Sequence, residues 1–362
     1  MLNDKHTQKA GNNATQVQAN IVQIGIDEKR VREILKEEKQ IALKEMSIIA
    51  ENVAQSRLDN YTDVLVPKLV KAELLDQFSD PKIQMLFRQS EKTAVCTDRN
   101  KDYELLSELL IHRIKRDGNY TTDAAIEKAI DEVDNLSDDA LLGLTIIFAI
   151  NTYVPVSGDV YKGLQTLNNL YGKIMKSKFV NINGKSWLEN LEIINAIKIT
   201  PFSGNKRLED YYFEAFDGYS CLGIKKDSDN YNKAIEILRN NQLPLNVLSE
   251  NVLDNNYVRV KNLQKKEFKD MYLISIQNGI QLKMSLNEQQ KQALSKITDL
   301  YENNNSVREK YIDLLKSYEY INALITWWNN NMLDTAFNIT PIGKVIAHTN
   351  AKSIDSTLPD LD

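Results

Sequence analysis

The chain has 362 residues, 42% hydrophobic and 26% charged, which is enough apolar material for one large or two medium domains and excludes disorder throughout. Its 45 basic and 50 acidic residues leave a net charge of −5, which argues against a nucleic-acid binder held mainly by phosphate contacts. Cys96 and Cys221 stand far apart and outside any CxxC spacing, so no disulfide framework or thiolate metal site is expected, and a reducing, cytoplasmic compartment fits.

The N-terminus MLNDKHTQKAGNN lacks an apolar h-region, and the longest apolar stretch, over 141–150, is too short for a bilayer and reads as a buried helix. No signal peptide and no membrane span are expected. Low counts of glycine, 13, and proline, 7, suit long helices with short loops. The expected fold is all-α, a multi-helix array or bundle with a short β-prone N-terminal segment. Rossmann and P-loop glycine patterns are absent, and no cofactor is expected.

The expected organisation is a β-prone segment over 1–26, a long amphipathic helix over 27–76, helical domains over 77–245 and 246–352, and a polar tail over 353–362. Between Lys9 and Asp27 lie seventeen residues without charge or proline, AGNNATQVQANIVQIGI. Val17, Ala19 and Ile21 alternate with Gln16, Gln18 and Asn20; after a phase change Val22, Ile24 and Ile26 alternate with Gln23 and Gly25. Low charge, β-branched side chains and amides that can ladder between copies are the ingredients of cross-β assembly. A β-hairpin, an edge strand or a tail folding against the body would use the same composition, although no Lys or Pro guards against edge pairing.

From Asp27, a candidate cap, Val31, Ile34, Leu35, Ala42, Met46, Ile49 and Val53 recur at helical spacing, predicting a helix that reaches Pro67. Further helices are predicted over 81–96, 102–115, 122–135, 138–152, 159–175, 187–197 and 208–216. Ser137 and Thr121 lie in N-cap regions. Beyond 231–240, the stretch NNYVRV is the one downstream strand candidate, and helices follow over 266–278, 287–301, 307–328 and 340–348.

Glu104, Glu108 and His112, at i, i+4 and i+8, share one helix face and could bind a metal, but no second Glu-x-x-His supplies the facing ligands, so a surface Glu–His pair or a satisfied buried histidine is the preferred reading. No metal is expected. His6 and His348 stand alone near the termini. Asp98 and Arg99, followed by Tyr103, could meet Asp159 of the VPVSGD loop in a polar groove; an interhelical salt bridge or helix cap is the alternative. These residues, Asp98, Arg99, Glu108, His112 and Asp159, are the candidate site of a hydrolase or nucleotide-binding effector. Trp327, Trp328, Tyr211, Tyr212 and Phe213 are expected to anchor packing.

Val22-Gln23-Ile24-Gly25 resembles the Ile/Val-Gln-Ile/Leu/Val-Gly core of the RIP homotypic interaction motif and the amyloid signalling motifs of bacterial and fungal defence proteins. That motif is usually followed by Gly and Asn, whereas here Asp27 opens a helix. The resemblance implies self-association through Gln16, Val17, Gln18, Ile21, Val22, Gln23, Ile24 and Gly25, with the partner another copy, giving a homo-oligomer, or a protein carrying a similar motif. The body resembles an uncharacterised all-helical bacterial family through Thr97-Asp98-Arg99, ELLSELLIHR (104–113), DDALLGLT (138–145), VPVSGD (154–159), LPLN (243–246) and TPIGK (340–344). That likeness brings no activity; it implies a bacterial source and, with the motif, a role in defence against phage. A helical adaptor in a small oligomer is the plainer alternative.

Overall fold

The computed structural model describes residues 28–115, 119–175, 182, 184–200, 203–269, 271–277 and 280–361. The β-prone segment 10–26 and the candidate cap Asp27 lie outside the described residues. Residues Met1–Arg57 form one compact unit and Leu58–Asp362 a second.

The first unit contains the beginning of α1 (Glu28–Lys71), a run rich in Lys, Glu, Ala and Gln, all strong helix formers. Its apolar stripe is exposed: Leu35 at 63%, Met46 at 67%, Ile49 at 63% and Val53 at 45%. The helix passes the end expected at Pro67 and reaches Lys71. A proline so near a C-terminus removes a single helical hydrogen bond, and Leu65 and Leu69 beside it are buried in the second unit's core.

In the second unit the central element is α5 (Asp138–Thr152), in which every residue from Ala140 to Ile150 is buried except the half-buried Leu142. A helix apolar on all sides must be enclosed. It packs against α6 (Val160–Met175), α7 (Ser186–Ile193) and α13 (Pro341–Ile354), and α13 also packs on α3 (Asn100–Lys115) and α4 (Tyr120–Glu132). The expected cap of α5 is present, since Ser137 Oγ accepts from the Ala140 N–H at 3.2 Å. That of α4 is displaced from Thr121 to Asn119, whose amide oxygen accepts from the N–H groups of Thr121 and Thr122 at 3.1 and 3.4 Å. Around this core lie α2 (Pro81–Val95), α8 (Leu208–Ala215), α11 (Arg308–Lys316) and α12 (Glu319–Asn331). The single helix expected over 307–328 is thus two, broken at Ser317 and Tyr318.

Strands are more numerous than the sequence suggests. The helix expected over 187–197 stops at Ile193 because Asn195 is left-handed (φ 56°), a conformation that ends helices, and β1 (Ile197–Thr200) follows. It pairs antiparallel with β7 (Ala336–Ile339), Ile197 opposite Ile339. A second hydrophobic cluster gathers α9 (Asp229–Asn240), α10 (Glu288–Thr298) and a three-stranded antiparallel sheet. In that sheet β4 (Tyr257–Val260), the expected strand, lies between β2 (Ile224–Lys225) and β3 (Leu248–Glu250). The helix expected over 266–278 is overturned: β5 (Tyr272–Gln277) pairs with β6 (Ile280–Ser285) as a hairpin. Thirteen α-helices and seven short strands among the described residues make the protein mostly α-helical. Among those residues no helix is long and apolar enough to cross a membrane.

Candidate functional site

Arg99 stands in the turn between α2 and α3. Its Nε donates to Asp102 Oδ2 at 2.9 Å and its Nη2 to the Leu136 carbonyl at 2.7 Å, while Nη1 lies 3.6 Å from Asp138 Oδ1. Thr97 Oγ1 also donates to Asp102, and Tyr103 Oη donates to the Thr97 carbonyl at 2.9 Å. Burial raises the Asp102 carboxyl above its ordinary pKa, against the opposing pull of Thr97 and Arg99. The contacts to Leu136 and Asp138 tie the start of α3 to the approach to α5, while those among Thr97, Arg99, Asp102 and Tyr103 fix the turn that opens α3. Asp98 is exposed beside it.

Asp159 sits elsewhere in the bonding pattern. Its Oδ1 accepts from the Lys162 N–H at 3.0 Å as a helix cap, and its own N–H donates to Ser157 Oγ at 3.2 Å. Ser157 and Gly158 of the VPVSGD loop are held from two sides: Arg259 Nη2, on β4, donates to the Gly158 carbonyl at 2.8 Å, and Tyr219 Oη, from the main core, to that of Ser157.

Glu104, Glu108 and His112 do share a face of α3. The two carboxylates hold Lys68 of α1, with Nζ 2.5 Å from Glu104 Oε2 and 2.6 Å from Glu108 Oε1. Burial alone would lower the Lys68 pKa, but the two carboxylates outweigh it and hold the ammonium above its ordinary value. Among the described residues no group of three His, Cys, Asp or Glu could hold a metal ion.

One turn on, the His112 ring lies 6.0 Å from that of His348 on α13, centroid to centroid. His348 is therefore not the isolated histidine the sequence suggests. It is buried, and its Nε2 lies 2.9 Å from the Pro359 carbonyl. These groups border a cleft of about 560 Å³ where the last turns of α1, α3 and α13 come together, lined also by Lys68, Lys71, Lys115 and Lys352. Of the sequence candidates, Glu108 and His112 line this cleft, and Asp98, Arg99 and Asp159 do not. Helical spacing could have flagged Lys344, His348 and Lys352 as one face of α13; their meeting with α3 is a long-range contact that no local pattern carries.

A family model described only as “:-like” matches residues 25–361, and the chain belongs to that family, whose description names no activity. No curated protein and no solved structure matches the chain.

Proposed function

We propose that this chain is an interaction protein that assembles through its N-terminal region, with copies of itself or with a partner carrying a similar motif. The observation that carries the reading is the exposed apolar surface of α1 in the first unit. Leu35, Ala42, Met46, Ile49 and Val53 lie along one side of the helix, and Ile41 and Ile48, also more than half exposed, recur seven residues apart on a neighbouring side. Exposed apolar surface of that extent marks an interface.

Magnitudes explain why the segment 10–26 belongs in the proposal. Covering the four large apolar side chains on that one side, Leu35, Met46, Ile49 and Val53, each roughly half exposed, would contribute on the order of 3–6 kcal/mol per helix. Association itself costs about 4–15 kcal/mol, so the helix alone comes close to breaking even. A neighbouring charge-free segment whose Gln and Asn side chains can ladder between copies supplies the remainder. The likeness of Val22 to Gly25 to amyloid signalling motifs supports a signalling role in bacterial defence against phage.

A peptide covering 10–26 is expected to form thioflavin-positive fibrils with a cross-β spacing. A peptide that stays monomeric at high concentration rejects the amyloid part of the proposal and leaves the helix-borne, small-oligomer adaptor.

A further inference from the structure

The cleft of about 560 Å³ has a neighbour of about 620 Å³ bordered by Thr122, Phe148, Tyr153 and Lys344. His348 and Asp360 line both. The wall between the two clefts is thus the segment 355–361, which leaves the end of α13 and turns back along it.

The segment is held in three ways. The Pro359 carbonyl accepts from His348 Nε2, Leu358 and Leu361 rest on the main core, and its two carboxylates reach lysines, Asp355 to Lys173 at 2.7 Å and Asp360 to Lys352. The grip is weak. The Asp360 side chain is 89% exposed, and ion pairs so exposed contribute about 0–1 kcal/mol.

The fit is also incomplete. Thr349 Oγ1, lining the first cleft, and Tyr153 Oη, lining the second, are buried with no hydrogen-bond partner among the described residues. Each such group costs about 1–3 kcal/mol. Lys71 and Lys115 face the first cleft with no acidic partner among the described residues. Part of their charge offsets the carbonyl ends of their own helices.

We propose that the groove along α13 is a docking site for an acidic, leucine-bearing peptide of a partner protein, and that the chain's own segment 355–361 is its resident occupant. The resident defines the chemistry recognised: a carbonyl for His348, leucines for the apolar wall and carboxylates for the lysines. A partner peptide that also reaches Lys71, Lys115 and the two unsatisfied hydroxyls displaces it. The site is separate from the N-terminal region and does not depend on self-assembly.

The test is fluorescence anisotropy of a labelled synthetic peptide of residues 353–361 against the full chain. A full-chain variant with Leu358→Ser and Leu361→Ser loosens the resident and is expected to bind the peptide at least about tenfold more tightly than the parent. Adding Lys352→Glu and Lys71→Glu should remove that gain. Equal binding to parent and loosened variant, no binding to either, or equal binding of a scrambled peptide of the same composition overturns the proposal. If the loosened variant fails to fold by circular dichroism, hydrogen exchange of the parent decides: excess peptide should speed exchange of the Thr357, Leu358, Asp360 and Leu361 amides, and unchanged exchange overturns the proposal.

Discussion

Arg259, on β4, donates from Nη2 to the carbonyl of Gly158, 101 residues earlier in the chain, at 2.8 Å. Its Nη1 donates to the carbonyls of Gly218, Val260 and Asn262 at 3.1, 3.0 and 2.9 Å, and the side chain is only 2% exposed. One guanidinium therefore joins the three-stranded sheet to the loop that opens α6. Arg259→Ala, which takes a donor from four carbonyls, two of which keep a second one from Asn262 N–H and Cys221 Sγ, should destabilise the chain by about 3 kcal/mol or more in urea denaturation. Arg259→Lys should recover only part of that, because an ammonium has no planar fork. A change below about 1 kcal/mol for the alanine variant would mean the clasp is not structural.

Gly158 tests the same junction from the other side. A Cβ there would collide with the backbone carbonyl of Lys261, which the sheet holds in place. Gly158→Ala is expected to cost about 1–3 kcal/mol, an overpacking effect, read as a lowered denaturation midpoint.

Tyr171 and Tyr212 share a buried hydrogen bond, with their hydroxyl oxygens 2.6 Å apart. Burial raises both phenols well above 10, as it raises Tyr153 to about 12. With the folded pKa above the unfolded one, the stability these groups contribute is complete below pH 10 and falls as pH rises through the folded values. Alkaline titration should therefore show these tyrosines ionising together with loss of the fold. Tyr171→Phe, which strands the partner hydroxyl, should cost about 1–2 kcal/mol, and adding Tyr212→Phe should restore part of it.

Lys68 gives a second pH dependence. Its pKa is raised in the folded chain, so the stabilisation from Glu104 and Glu108 is complete below the ordinary lysine value of 10.5 and disappears as pH climbs through the raised one. Lys68→Met should lower stability at neutral pH, and the gap to the parent should close in alkaline solution. A gap that stays constant would show that the loss comes from packing alone.

How much of this was legible in the sequence follows from the range of the interactions. The apolar run at the centre of α5 and the cap at Ser137 are local signals, and both are readable. The stretch replaced by β5 carries Phe268, Met271 and Tyr272 at helical intervals and then Leu273 to Gln277 in strand-like order, so the local pattern was ambiguous and pairing with β6 decided it. β1 and β7 are four residues each, too short to declare a period, and exist because they find each other although Ile197 and Ile339 stand 142 residues apart. The same limit hid the His112–His348 pair and the Arg259 clasp. Glu104, Glu108 and His112 were correctly read as one face, but what that face holds, Lys68, could be seen only once α1 was placed beside α3.

The central claim is self-assembly through the N-terminal region, and sedimentation velocity of the full chain over a wide concentration range tests it most directly. We expect species larger than the monomer that grow with concentration. They should be weakened by Met46→Lys with Ile49→Lys, substitutions at exposed positions that leave the melting temperature unchanged, and abolished when Val22 to Gly25 are replaced by alanines. A chain that remains monomeric at every concentration, or assemblies indifferent to both sets of substitutions, would contradict it.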